Sequence, residues 1–89
     1  MSIPKIKEVG TDRANFYGVR FRPPGQFVQM RTPHWAMNIS QSVSQGSEVV
    51  MGLTPAGNWL VQTVLIKKVA GDKRYARRVA KKIVRKIES

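Results

Sequence analysis

The chain contains no cysteine. This one absence excludes disulfide cross-links, thiolate metal sites and cysteine nucleophiles, and it fits a reducing compartment. Acidic residues are scarce: Glu8, Asp12, Glu48, Asp72 and Glu88 are the only five in 89. Scattered in this way, they supply neither a carboxylate pair for acid–base chemistry nor a calcium or zinc set at known spacing. The single histidine, His34, directly follows Pro33 and reads as a surface or turn residue rather than a catalytic one. Glycine-rich phosphate loops and nucleophile elbows are missing as well. These gaps point away from an enzyme, and they imply no cofactor and no metal. No apolar run approaches the roughly 20 residues needed to cross a bilayer. Nor does an apolar stretch follow Met1-Ser2-Ile3-Pro4-Lys5, as a secretory signal would require. The chain is therefore expected to be cytoplasmic, or associated with a packaged genome.

What is abundant is positive charge. Sixteen Lys and Arg give a formal net charge of +11 and an isoelectric point near 11.1. Self-repulsion on that scale opposes compaction, so it usually reflects a polyanionic partner. A solubilising surface needs only about 2–8 net charges. Nucleic acid is the first candidate partner and an anionic membrane the second. With 42% hydrophobic residues the chain can fold, and at this length one domain is expected.

The charge is uneven. Residues 1–71 hold eight basic and three acidic residues, whereas 72–89 hold eight and two. The chain thus divides into an N-terminal arm or edge segment (1–14), a β-rich body (15–69) and a basic C-terminal helix (72–88). In the body, Tyr17, Val19 and Phe21 alternate with Gly18, Arg20 and Arg22, the period of a half-buried strand. Pro23-Pro24-Gly25 stops that strand, and Phe27 to Arg31 resumes one, so 15–31 reads as a hairpin. Residues 32–46 fit two patterns. Thr32-Pro33 could open a helix with Trp35, Ile39 and Val43 spaced by four and Gly46 as its stop. Trp35, Met37, Ile39 and Val43 also share one face of a strand, and this strict alternation favours the strand. Residues 47–68 form a second hairpin about the turn Thr54-Pro55-Ala56-Gly57-Asn58, its second arm apolar enough for a central strand covered on both faces. The expected fold is α+β, mainly β: about five antiparallel strands as an OB-like or SH3-like partial barrel or bent sheet, plus the helix.

That helix carries the strongest signal. Asp72 can cap its free N–H groups. Beyond it, pairs of charges alternate with pairs of apolar residues from Lys73 to Lys86. At 100° per residue, Tyr75, Ala76, Val79, Ala80, Ile83, Val84 and Ile87 fall on one side. Lys73, Arg74, Arg77, Arg78, Lys81, Lys82, Arg85 and Lys86 fall on the other. A strand would split every pair and leave no apolar face. Like charges four apart repel, and solvated helices ordinarily mix signs. A row of phosphates accounts for a purely cationic face better than solvation alone.

The expected function is nucleic-acid binding, DNA or RNA, through phosphate contacts with low sequence specificity. The eight helix cations supply most of the field, and Arg20, Arg22, Arg31, Lys67 and Lys68 extend it. Phe16, on the face of Arg20 and Arg22, is the best aromatic for stacking a base, followed by Trp35. Two alternatives stand beside this. The chain could be a small basic subunit of a ribonucleoprotein or virion that docks on an acidic protein, and self-pairing through a strand edge suits its size. The helix could instead lie on a membrane, but an apolar side of Ala, Val, Ile and one Tyr suits packing on a sheet better than lipid. No RNP aromatic signature, Gly-x-x-Gly clamp or zinc-finger spacing is present.

Overall fold

A computed structural model describes residues 13–21 and 33–88. A 3-10 turn over Arg13–Asn15 leads into strand β1, Phe16–Arg20. Helix α1 spans Pro33–Val43, strands β2 and β3 span Glu48–Leu53 and Trp59–Lys67, and helix α2 spans Lys73–Glu88. Three strands form one open sheet in the order β1-β3-β2, with both edge strands antiparallel to β3. β1 and β2 are therefore parallel to one another, and α1 lies in the crossover between them. Both helices contribute to the hydrophobic cluster on one face of the sheet.

This corrects the expected mainly-β fold of about five strands. Among the described residues there are three strands, the sheet does not close into a barrel, and more residues are helical than extended. The error lies at 33–43, which is α1 and not a strand. Pro33 occupies the first helical position, where its missing N–H costs nothing. Trp35, Ile39 and Val43 pack on the core at helical spacing, as do the fully buried Ala36 and Ser40. In a strand, Ser40 would fall on the face opposite to Trp35, Met37, Ile39 and Val43. It reaches the interior because Ser47 receives it: the Ser40 hydroxyl bonds the Ser47 hydroxyl, which in turn donates to the Ser40 carbonyl at 3.0 Å. A helix here also removes the sequential strand pairing that a barrel requires. The second arm of the first hairpin, 27–31, falls outside the described residues.

The second hairpin is present as expected. β2 and β3 pair from Glu48↔Leu65 to Leu53↔Trp59, with an irregularity between Val50 and Met51 that leaves Gln62 without an opposite residue. The Thr54–Asn58 turn is closed by Gly57 N–H to the Thr54 carbonyl (2.9 Å) and by Asn58 N–H to Thr54 Oγ1 (3.1 Å). β3 is central. Its residues Val61, Val64 and Ile66 face the helices with Val49 and Met51, whereas Leu65 and Val50 are buried on the opposite face.

α2 follows its sequence pattern closely. Ala76, Val79, Ala80, Ile83, Val84 and Ile87 are buried, and Tyr75 is half-buried. Asp72 caps the helix, its Oδ1 accepting the Tyr75 N–H at 2.9 Å. A 3-10 turn over Lys68–Ala70 and Gly71 connect β3 to this cap. The α-carbon of Gly71 lies so close to the Tyr75 ring that a Cβ would fall 2.5 Å from Tyr75 Cγ. Glycine is required there for space.

Candidate nucleic-acid interface

Burial of the apolar side of α2 fixes where its charges go. Lys73, Arg74, Arg77, Arg78, Lys81, Lys82, Arg85 and Lys86 are all exposed. They form two rows at four-residue spacing, Lys73–Arg77–Lys81–Arg85 and Arg74–Arg78–Lys82–Lys86, with cations recurring about every 6 Å along the axis. Among the described residues only Glu48, Asp72 and Glu88 are acidic. The carboxylate of Asp72 caps the helix, and Glu88 closes it. The first turn holds no acid, so Lys73 and Arg74 stand against the positive end of the helix dipole, while Arg85 and Lys86 sit favourably in the last turn. Arg78 rests over the Tyr75 ring, with Cζ 5.9 Å from the centroid.

The basic residues outside α2 divide among three places. Lys68 comes from the 3-10 turn, holds its Nζ 5.4 Å from the centroid of Tyr17, and lines the same groove as Lys73 and Arg77. Lys67 points elsewhere: a Cβ on Gly46 would meet its Cε at 2.5 Å and its Nζ at 2.8 Å, so its chain lies across Gly46. Arg20 is exposed at the far end of β1, about 14 Å along the strand from Phe16 at roughly 3.4 Å per residue. Arg22 and Arg31 lie outside the described residues.

The two aromatic candidates separate cleanly. Trp35 is half-buried on α1 and packs against the core. Phe16 does not belong to the core cluster. It begins β1 on the face opposite to Tyr17, Val19 and Phe21 and is half-buried. A groove of about 350 Å³ runs beside it, lined by Phe16, Tyr17, Gly18, Val19, Lys68, Lys73, Ala76 and Arg77. Sequence periodicity could not reveal this groove, because its cations come from a turn and a helix far along the chain from Phe16. Tyr17 packs against the core cluster and is also among the residues that line the groove. The Phe16-Tyr17 doublet does signal that one of the two rings leaves the core face, since adjacent strand residues must face opposite ways. Val69, 92% exposed beside Lys68, had no such signal. His34 is exposed on α1, and among the described residues no cluster of His, Asp and Glu could hold a metal ion.

No described helix is long and apolar enough to cross a membrane. Compared with protein-family models, curated proteins and solved structures, the chain matches none at a significant level.

Proposed function

We propose that the protein binds nucleic acid, DNA or RNA, through its phosphate backbone and with low sequence specificity, using the outward face of α2. One observation carries this reading: eight exposed cations on a single helix face with no acid interspersed. Six like-charged pairs at four-residue spacing oppose the helix by a few tenths of a kcal/mol each, about 1–3 kcal/mol together. Lys73 and Arg74 add an unfavourable dipole contribution. A polyanion lying along the face offsets these repulsions by its attraction to every cation on it. At 16 residues α2 is about 24 Å long, the axial span of roughly seven phosphates per strand of a B-form duplex.

Affinity in this mode comes chiefly from release of condensed counterions, which carries no sequence information. Four of the eight cations are Arg and four are Lys, so bidentate reading of bases is not specially favoured. Lys68 extends the field beside the first turn, and Arg20 and Lys67 add weaker, more distant contributions.

The test is fluorescence anisotropy with labelled duplex and single-stranded oligonucleotides across a salt series, with polyglutamate as a protein-like polyanion. If about half of the helix cations engage, log affinity for a duplex should fall with log salt at a slope of about −3 to −4. Preference for polyglutamate over every oligonucleotide would assign the face to an acidic protein instead. Absence of oligonucleotide binding even at low salt would end the nucleic-acid reading.

A further inference from the structure

The groove between the start of β1 and the first two turns of α2 gathers positive charge more densely than the outward face of the helix does. Lys68, Lys73 and Arg77 line it, and no carboxylate does. We propose that it holds a terminal phosphate, the phosphomonoester at the end of a nucleic-acid strand. This rests on the phosphate-binding reading of α2 and adds what that reading lacks, a preference for a phosphorylated strand end.

Two observations place the three cations around one space. Tyr17 packs with the core on the side of the sheet that the helices cover, and Lys68 Nζ lies 5.4 Å from its ring centroid. On α2, at 100° per residue, Lys73 lies about 60° and Arg77 about 100° round the axis from Ala76, in the same sense. Ala76 is 1% exposed and lines the groove with them. Both side chains therefore leave α2 on the flank that borders Tyr17, one turn apart. The nearest acid in sequence, Asp72, is committed to the cap, accepting the Tyr75 N–H at 2.9 Å.

Charge balance decides which phosphate suits the groove. Along α2 as a whole, eight cations stand over the span of about seven phosphates per strand, close to one for each phosphodiester. In the groove three cations share about 350 Å³, near the lower end of small-molecule pockets at about 300 Å³. That admits one nucleotide with its phosphate and not a duplex. A diester brings one negative charge, whereas a monoester brings about −1.5 to −2 at neutral pH. The monoester comes closer to offsetting three cations whose field a concave wall concentrates. Continuity favours a strand end over a free phosphomonoester. The row begun by Lys73 and Arg77 continues through Lys81 at about 140° and Arg85 at about 180° from Ala76. It winds from the groove onto the outward face, so a strand anchored by its end can follow it.

The experiment titrates the full chain with one internally labelled oligothymidylate in several forms: with hydroxyl ends, with a 5′-phosphate, with a 3′-phosphate, and with either phosphate methylated to a diester. One phosphorylated form should bind about tenfold more tightly than the hydroxyl-ended strand, the worth of one more charge-assisted hydrogen bond. Methylation should remove most of that gain. The Lys68→Gln, Lys73→Gln double variant, checked by circular dichroism for native helix content, should lose the gain. Lys82→Gln, on the other row of α2, should weaken all forms alike and keep it. Equal affinity for every form would overturn the proposal, as would a gain that methylation or the double variant leaves intact. Thymidine monophosphate bound as tightly as the phosphorylated strand would overturn it too, by making the groove a site for a free nucleotide. In each case binding of the hydroxyl-ended strand keeps the α2 reading standing, whereas failure to bind any form of the strand removes both.

Discussion

Gly71 and Tyr75 show how little slack surrounds the start of α2. Gly71 has an extended backbone open to any residue, so its requirement is space. In Gly71→Ala the new methyl would lie 2.5–2.8 Å from Tyr75 Cγ, Cδ2 and Cβ. The ring must shift, and with it the first turn that Asp72 caps. We expect a loss of about 1–3 kcal/mol, measured by urea denaturation, and an unchanged midpoint would contradict the contact. The Ser40–Ser47 pair gives a second test. Ser47→Ala leaves the fully buried Ser40 hydroxyl without its acceptor, which should cost about 1–3 kcal/mol. In a domain of this size each kcal/mol lowers Tm by about 4–8 °C. Sequence patterning could not anticipate this pair. A serine on a helix face counts against burial until its partner seven residues later is known.

At the scale of the element, α2 was legible because two independent patterns agreed. Its apolar residues recur with helical period, and its charges fill the complementary arc. α1 was not legible, since Trp35, Ile39 and Val43 satisfy both periods and the Ser, Asn and Gln between them favour neither. Packing against β2 and α2 decided it. The charge pattern of α2 leads to an expectation that sets stability against binding. In Arg78→Glu the two repulsive contacts to Arg74 and Lys82 become attractive, an exchange of about 1 kcal/mol. The Arg78 contact with the Tyr75 ring is lost, which offsets part of it. Tm at low salt should rise by a few degrees, less at high salt where the pairs are screened, and oligonucleotide affinity should fall. A variant both less stable and equally tight in binding would show that Arg78 acts through packing.

For the whole molecule, the β2–β3 hairpin and the basic helix could be read from sequence, but the sheet order could not. With α1 in the crossover, β1 comes to lie beside β3 and not beside a strand from 33–43. That order brings the start of β1 next to α2, since Phe16 pairs with Lys67 at the end of β3, just before the turn that carries Lys68. The groove is thus a product of topology, assembled from residues some fifty positions apart, whereas the cationic face is a product of local period. This difference explains why one was visible in the sequence and the other was not. The net charge of +11 belongs to this scale too. A bound polyanion stabilises the native state by mass action, so a duplex added in excess should raise Tm in proportion to the logarithm of its concentration.

The central claim, that the face of α2 exists to meet phosphates, is tested most directly by the salt dependence of duplex affinity. The measurement compares the unaltered protein with a variant in which Arg77, Arg78, Lys81 and Lys82 are all replaced by Gln. These four side chains are exposed, so the variant should keep its fold, and removing like-charge pairs should leave Tm level or higher. Its salt slope should be shallower by about one unit for each engaged cation lost, about two or more in all, with a matching fall in affinity. A variant that binds duplex with undiminished affinity and the same slope would contradict the account, because the phosphates would then be meeting some other part of the molecule.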